Sequence, residues 1–140
     1  MKKLIINCDD FGVSEETNNV IIQCLKFKKA TSASILSNGD FFLHGIKKIK
    51  KNLKNNHFGV HLNLTEGKAL SKSKKLTNKK NIFNHGPEYF FFLQCLKKYK
   101  KLENDIYFEF KSQILRVKEK GIKISHLDSH QHIHHIPFIF

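Results

Sequence analysis

The stretch 125–134, near the end of the chain, holds the densest group of residues that could bind a metal ion. Four of the nine histidines lie in it, and His135 follows directly. Asp128 stands two residues before His130. Imidazole and carboxylate groups are the ligands that borderline divalent metals prefer. The stretch therefore indicates a divalent-metal site, although a noncatalytic His-rich tract that binds metal on its own fits the same residues.

A second group of candidate residues, the carboxylates Asp9 and Asp10, lies near the start of the chain. On an extended backbone neighbouring side chains point in different directions, so one carboxylate could bind a metal while the other faces an attacking water. Two histidines and one carboxylate form an open ligand set with room for water and substrate. With a free carboxylate as general base, this set is typical of metal-assisted hydrolysis of an amide or ester. The stretch 9–12 equally fits a simple turn into a helix, because Asp and Gly favour turns.

Alternating strands and helices must bring these two distant groups together. Short apolar runs predict strands, and apolar residues at helical spacing predict helices between them. The predicted strands are 4–6, 31–36, 58–62 and 122–127, and the predicted helices follow Ser14 and cover about 41–53, 87–100 and 105–120. A polar loop is predicted over 65–81, and the three phenylalanines 90–92 are predicted to lie in the core. This order implies right-handed crossovers and a parallel sheet.

In such a sheet, functional residues gather at the carboxyl ends of the strands. The candidates all fall there, strand by strand: Asp9 and Asp10, then Asn38, then His61, then Asp128 and His130. Each has a plainer interpretation as well. His61 also fits a hydrogen-bonded strand histidine, Asn38 fits a turn, and Asp128 fits a residue that orients a histidine without binding the metal.

Size and charge narrow the classes of function. At 140 residues the chain is expected to form one domain, 1–140. Its 25 basic and 12 acidic residues give a net charge of +13, but only Arg116 is an arginine and no basic-region helix or zinc-finger spacing is present. The three cysteines are far apart and form no CxxC motif, which fits a reducing cytoplasm. We therefore expect a cytoplasmic protein with a lysine-coated surface and with neither a nucleic-acid nor a membrane partner.

Four blocks of the sequence resemble one known family. Asn7–Gly12 resembles the opening motif of the YdjC-like carbohydrate deacetylases, the chitooligosaccharide deacetylase family, with Cys8 in place of the usual alanine. Thr31–Ser34 together with Asn38 resembles the second block of that family. The third and fourth blocks are Gly59–Gly67 and His126–His134, and all four stand in the family's order.

The resemblance implies a (β/α) barrel related to polysaccharide deacetylases and a metal-dependent hydrolase that removes N-acetyl groups from acetylated sugars. By position, Asp10, His61 and His130 would be the metal ligands, and Asp9 would be the general base. The family is described with magnesium, whereas the histidine ligands favour zinc or another transition metal.

The resemblance also bears on the remaining candidates. The proton for the departing amine could come from His132 or His134, because alternate residues of an extended segment would share a face with His130. Asn38 and Asp128 would contact the substrate or support the metal ligands.

The chain is shorter than such a barrel, which needs roughly 250 residues. We therefore expect the N-terminal half of the barrel, an α/β unit of about four parallel strands with crossover helices. Such a half leaves unpaired strand edges and exposed apolar faces, which a second copy could cover in a homodimer. The sequence fits both an active enzyme and an inactive fragment of one.

Overall fold

Strands and helices alternate along the chain in the computed structural model, which describes residues 4–53 and 57–139. The four strands are all parallel and lie in the order β1-β2-β3-β4. The predicted α/β class with four parallel strands is confirmed. The elements are β1 (Asn7–Phe11), α1 (Glu15–Lys26), β2 (Ser32–Ile35), α2 (Phe42–Asn52), β3 (His57–Leu62), α3 (Pro87–Cys95), α4 (Glu103–Lys118), β4 (Ile124–Ser129) and two 3₁₀ helices, His130–His135 and Pro137–Ile139.

The two faces of the sheet differ in polarity. Alternate strand residues, among them Ala33, Ile35 and Val60, pack with apolar residues of α1, α2 and α4 in the main core. The intervening strand residues are polar, and we call the surface that they form the inner face; it contains Asn7, Asp9, Ser32, Ser34, His61, His126 and Asp128. Strands that follow one another in chain order, with the helices on one side, form the wall of a (β/α) barrel. Doubly wound sheets carry helices on both faces instead.

The turn after β1 is held tightly by its own sequence. Ser14 begins α1 by accepting a hydrogen bond from the backbone N–H of Thr17 at 3.1 Å. Inside that helix, the buried Asn18 accepts a hydrogen bond from the backbone N–H of Gly12 at 2.7 Å. Gly12 has a φ of 115°, and a Cβ there would lie 2.8 Å from the Leu36 carbonyl oxygen. The carboxyl end of β1 is therefore fixed against α1 and the end of β2.

Two predicted strands are displaced in the structure. The run 4–6 was predicted as the first strand, but these residues are exposed and β1 starts at Asn7. The reason is pairing, because β2 begins only at Ser32, which lies opposite Asn7. The fourth strand, predicted over 122–127, covers Ile124–Ser129 because it pairs with β3 up to the pair Leu62 and Ser129.

The region between β3 and α4 also differs from its prediction. The helix predicted over 87–100 ends at Cys95. Of the three phenylalanines predicted to be core, Phe90 is fully buried, whereas Phe91 and Phe92 are about 60% exposed, at 63% and 60%. The predicted polar loop packs around buried Leu64 and Leu76 in a second core cluster. Only one of these three phenylalanines is buried, because the short helix α3 packs one side against that cluster.

Several predictions concern surfaces rather than elements. Within 4–53 and 57–139, no helix combines the length and the hydropathy needed to cross a bilayer. Strands β1 and β4 form the two edges of the described sheet, and the predicted homodimer that would cover such edges stays a prediction. The predicted domain 1–140 includes residues 1–3, 54–56 and 140, which lie outside the described residues.

Candidate metal centre

Three potential ligands from distant parts of the chain meet at the carboxyl ends of the strands. Asp10, His61 and His130 each offer one ligand atom, and these atoms all lie within 4.8 Å of one another. Asp10 Oδ1 is 2.9 Å from His130 Nδ1 and 3.4 Å from His61 Nε2. Ligands bonded at about 2.0–2.1 Å to one ion lie about 2.8–3.4 Å apart in octahedral or tetrahedral geometry. The spacing therefore matches a coordination sphere.

A backbone irregularity brings Asp10 into this cluster. The pairing of β1 with β2 shifts register between Cys8 and Phe11, and Asp10 has a φ of 62°. Regular alternation would send Asp9 and Asp10 to opposite faces, but a bulge re-aims a side chain. Aspartate tolerates the left-handed region better than most residues. Asp9 thus stays on the inner face, where it also lies within 4.8 Å of ligand atoms of His61 and Asp128.

His61 is held between two carboxylates. Its side chain is 5% exposed, with Nε2 towards Asp10 and Nδ1 2.8 Å from Asp128 Oδ1. Burial raises the pKa of Asp128, but hydrogen bonds from His61 and Ser34 outweigh it and lower that pKa overall. Asp128 therefore stays ionised as an acceptor. Its contact is the one expected of a residue that orients a histidine.

His130 directly follows β4 and pairs with Asp10. Their hydrogen bond lowers the pKa of Asp10 and raises the pKa of His130, in each case as the largest cause. The other ring nitrogen, Nε2, is buried and makes no hydrogen bond. Glu66 Oε2 lies 3.4 Å from it, within ion-pair distance. The two ring nitrogens of His130 therefore face two carboxylates, Asp10 on one side and Glu66 on the other.

The chemistry of the cluster fits a divalent cation. Two imidazoles and one carboxylate are typical ligands of such ions and leave coordination positions open. Asp9 lies beside the cluster, is exposed, and accepts a hydrogen bond from Asn7 Nδ2 at 2.7 Å. This arrangement offers one group of ligands and one free carboxylate that could take a proton.

Glu66 is the site residue that sequence reasoning missed. Besides its proximity to His130, its Oε1 accepts a hydrogen bond from Gln131 Nε2 at 2.8 Å. It thereby joins the loop after β3 to the 3₁₀ helix after β4. The available signal was its position five residues after His61, within the third motif block.

Asn38 serves the loop after β3. Its Nδ2 donates to the backbone carbonyls of Glu66 and Lys68, both at 3.0 Å. Its Oδ1 accepts from Asn63 Nδ2 at 3.1 Å. All the main hydrogen-bonding groups of Asn38 are thus engaged with the loop, so it supports Glu66 rather than pointing a free amide at the cluster.

The predicted arrangement of His132 and His134 is wrong. They were expected to share an extended face with His130, but 130–135 is a 3₁₀ helix with positive φ at Gln131 and His132. His134 Nδ1 instead lies 2.7 Å from Ser129 Oγ. Within the described residues, neither group of potential ligands includes His132, His134 or His135, so the noncatalytic His-tract alternative is not favoured.

Comparison with known proteins identifies the family. The family described as YdjC-like protein matches residues 3–140. A carbohydrate deacetylase of Clostridium beijerinckii is 34% identical over 99% of this chain and 53% of its own length. A carbohydrate deacetylase of Vibrio campbellii is 32% identical over 96% of this chain and 51% of its own length. The chain thus spans about half the length of these curated relatives.

A solved structure supports the same assignment. It is a protein of Enterococcus faecalis provisionally named for cellobiose-phosphate cleavage, with a TM-score of 0.79 and 28% sequence identity. The match covers 95% of this chain and 50% of that protein. The resemblance drawn from the four motif blocks is confirmed, and the chain belongs to the YdjC-like protein family.

Proposed function

We propose that this chain carries the metal centre of a hydrolase that removes N-acetyl groups from acetylated carbohydrates of the chitooligosaccharide type. The observation that carries the proposal is the convergence of Asp10, His61 and His130, with Asp9 beside them. The names of the relatives, carbohydrate deacetylases, supply the substrate class. Because the chain covers about half of each relative, the activity of the whole protein is part of the proposal.

In this proposal Asp10, His61 and His130 hold a divalent cation. When bound, the ion supplies Lewis-acid stabilisation of the developing oxyanion and a lower pKa for the attacking water. Two considerations favour different ions. The family resemblance implies Mg²⁺, whereas two nitrogen ligands favour Zn²⁺ or another transition metal.

Asp9 acts as the general base. It is exposed beside the cluster, its orientation is fixed by the 2.7 Å hydrogen bond from Asn7, and a carboxylate can take a proton from water. Burial, followed by the charges of His135 and His132, lowers the pKa of His134. A lower pKa leaves less of the protonated ring that could donate to the departing amine, which argues against His134 as that acid.

Acetate release from acetylated chitooligosaccharides, measured with the chain supplied with Mg²⁺, Mn²⁺ or Zn²⁺, tests this function. Removing a general base typically lowers turnover by about 10²–10⁴-fold, so Asp9→Asn should lose activity to that extent. Asp40→Asn, at an exposed position outside the cluster, is the matched control and should keep it. Measurable turnover that is equal in Asp9→Asn and the control would contradict the assigned base.

A further inference from the structure

We propose that Asn7 is a positioning residue that, through Ser34, holds the Asp128 carboxylate in place behind Nδ1 of His61. The inference rests on the proposed function, because it concerns how a metal ligand is prepared. The four residues come from the four strands, one from each, and form a hydrogen-bonded row across the inner face of the sheet. We call this row the inner-face relay.

The direction of the relay follows from its donors. Asn7 Nδ2 lies 2.7 Å from Asp9 Oδ1 and 2.7 Å from Ser34 Oγ. An amide NH₂ group has two hydrogens, so these two short contacts use both of them. Asp128 Oδ2, at 3.4 Å, is a distant third neighbour. One amide hydrogen of Asn7 thus orients Asp9, and the other is donated to Ser34 Oγ, the next member of the relay.

The orientation of the Asn7 amide is itself fixed. Ser32 Oγ donates to Asn7 Oδ1 at 2.6 Å, and Ser32 is buried on the neighbouring strand β2. A flipped amide would place its nitrogen against the Ser32 hydroxyl and its oxygen against Ser34 and the Asp9 carboxylate. Two lone pairs facing the ionised Asp9 are unfavourable, so the network assigns oxygen and nitrogen without ambiguity.

Ser34 accepts a hydrogen bond from Asn7 and donates one to Asp128. Its Oγ accepts from Asn7 and donates its single hydrogen to Asp128 Oδ2 at 2.6 Å. Ser34 is completely buried, and the other possible acceptor of that hydrogen, His126 Nε2, lies farther away at 3.1 Å. An ionised carboxylate can only accept, and Asp128 Oδ1 lies 2.8 Å from His61 Nδ1. The proton of the neutral imidazole must therefore sit on Nδ1.

This tautomer prepares His61 for a metal. With the proton on Nδ1, the lone pair of Nε2 points to the side where Asp10 Oδ1 lies 3.4 Å away. Carboxylates behind ligand histidines fix the ring and raise its basicity, and their removal typically lowers metal affinity by about 10–100-fold. The inner-face relay extends such support two residues further, to Asn7 at the opposite edge of the sheet from β4.

Two variants separate the relay from general packing. Asn7→Ala removes its start, and Ser34→Ala removes its middle while leaving the hydrogen bond between Asn7 and Asp9. Asn19→Ala is the matched control, because Asn19 lies on α1 and outside the inner face. Each protein is first stripped of metal, and its fold is checked by circular dichroism. The His61 ring is then observed by ¹⁵N NMR at a pH where its spectrum shows the neutral ring, with its signals assigned by comparison with a His61→Ala spectrum.

In the unsubstituted chain we expect the Nδ1–H tautomer of His61 and slow exchange of that proton with water. Both relay variants should show faster exchange and, in Zn²⁺ titrations, an affinity lower by about tenfold or more. Asn19→Ala should match the unsubstituted chain in both measurements. A purely structural role would leave the exchange rate of the His61 ring proton unchanged.

An Nε2–H tautomer in the unsubstituted, metal-free chain would overturn the proposal. So would unchanged exchange and affinity in either folded relay variant. If Asn7→Ala does not fold, Ser34→Ala decides alone. The NMR measurement needs no metal and no substrate, so a failure of the relay is distinguishable from a failure of the proposed function. If the proposed function is wrong, the unsubstituted chain would show the Nδ1–H tautomer of His61 but would not bind Zn²⁺ or release acetate.

Discussion

Asp10 and His130 lie 120 positions apart in the sequence, yet Asp10 Oδ1 and His130 Nδ1 are 2.9 Å apart. Without a cation, this contact is an ion pair between a carboxylate of lowered pKa and an imidazole of raised pKa. The same two groups are proposed to share a metal ion. The proton on His130 and the metal therefore compete for one site, which gives the protein a defined dependence on pH.

The first prediction concerns the stability of the metal-free protein. The lowered pKa of Asp10 stabilises the fold above its ordinary value of 3.8, and this is lost as pH falls through the folded value. The raised pKa of His130 stabilises the fold below its ordinary value of 6.5, and this is lost as pH rises through the folded value. The pair therefore contributes most between these two values.

Urea unfolding of the metal-free protein at about pH 5.5 and about pH 8.5 measures this effect. Asp10→Asn should lower the free energy of unfolding more at the acidic pH, by about 1 kcal/mol or less, because the Asp10 side chain is 39% exposed and screened by water. Asp40→Asn, at an exposed site, should show no such difference. An equal loss for Asp10→Asn at both pH values would mean that the pair is not ionised.

The second prediction concerns proton release on metal binding. Since His130 must be neutral to act as a ligand and its pKa is raised, metal affinity should rise with pH across the range in which His130 loses its proton. Calorimetric titration in buffers of different ionisation enthalpy counts the protons released. We expect release of up to about one proton per ion near pH 6.5, falling towards zero at pH values above the raised pKa of His130. Release that does not change with pH would exclude His130 as the titrating ligand.

The third prediction concerns Glu109, a fully buried carboxylate on α4. It accepts hydrogen bonds from the backbone N–H groups of Leu70 and Ser71, at 3.1 Å and 2.7 Å. Glu109→Ala should cost about 2–4 kcal/mol of unfolding free energy, because these donors lose their acceptor inside the protein. Glu119→Ala, exposed just after the same helix, should cost less than about 0.5 kcal/mol in the same urea experiment. A similarly small loss of unfolding free energy for both variants would show that Glu109 does not hold the loop after β3 at Leu70 and Ser71.

The fourth prediction concerns the phenylalanines of α3. Phe90→Ala should lower the free energy of unfolding by about 3–5 kcal/mol, since Phe90 is fully buried. Phe91→Ala, at the neighbouring exposed position, should change it by no more than about 0.5 kcal/mol. Unfolding curves of the two variants provide a matched comparison on one helix. The reverse order of effects would mean that α3 is rotated relative to the described structure.

Much of the fold could be predicted from the sequence because apolar periodicity is local. The runs that form β2 and β3 are buried against helices, and the apolar spacing of α2 marks its extent closely. The start of β1 could not be predicted in this way. The run 4–6 is as apolar as a buried strand, but its position depends on where β2 begins to pair.

The candidate site also has parts that the sequence predicts and parts that depend on how distant segments pack. Strand order predicted that Asp10, His61 and His130 lie at one edge of the sheet, because parallel strands end there, and the family resemblance selected these three from the other candidates. The contact of Glu66 with His130 depends on how a loop folds back onto the 3₁₀ helix, which the motif block that contains Glu66 does not specify. The arrangement of His132 and His134 failed for a related reason, since the extended backbone assumed for them gives way to positive φ values.

The central claim is that Asp10, His61 and His130 bind one ion together, and calorimetric titration of the chain with Zn²⁺ and Mn²⁺ tests it most directly. We predict about one ion per chain, with binding largely lost in Asp10→Asn and in His61→Ala. His57→Ala, an exposed histidine on the same strand β3, should bind as the unsubstituted chain does. Affinity that is unchanged in Asp10→Asn and His61→Ala, but lost when His132 and His134 are replaced, would contradict the account and place the ion in the histidine tract instead.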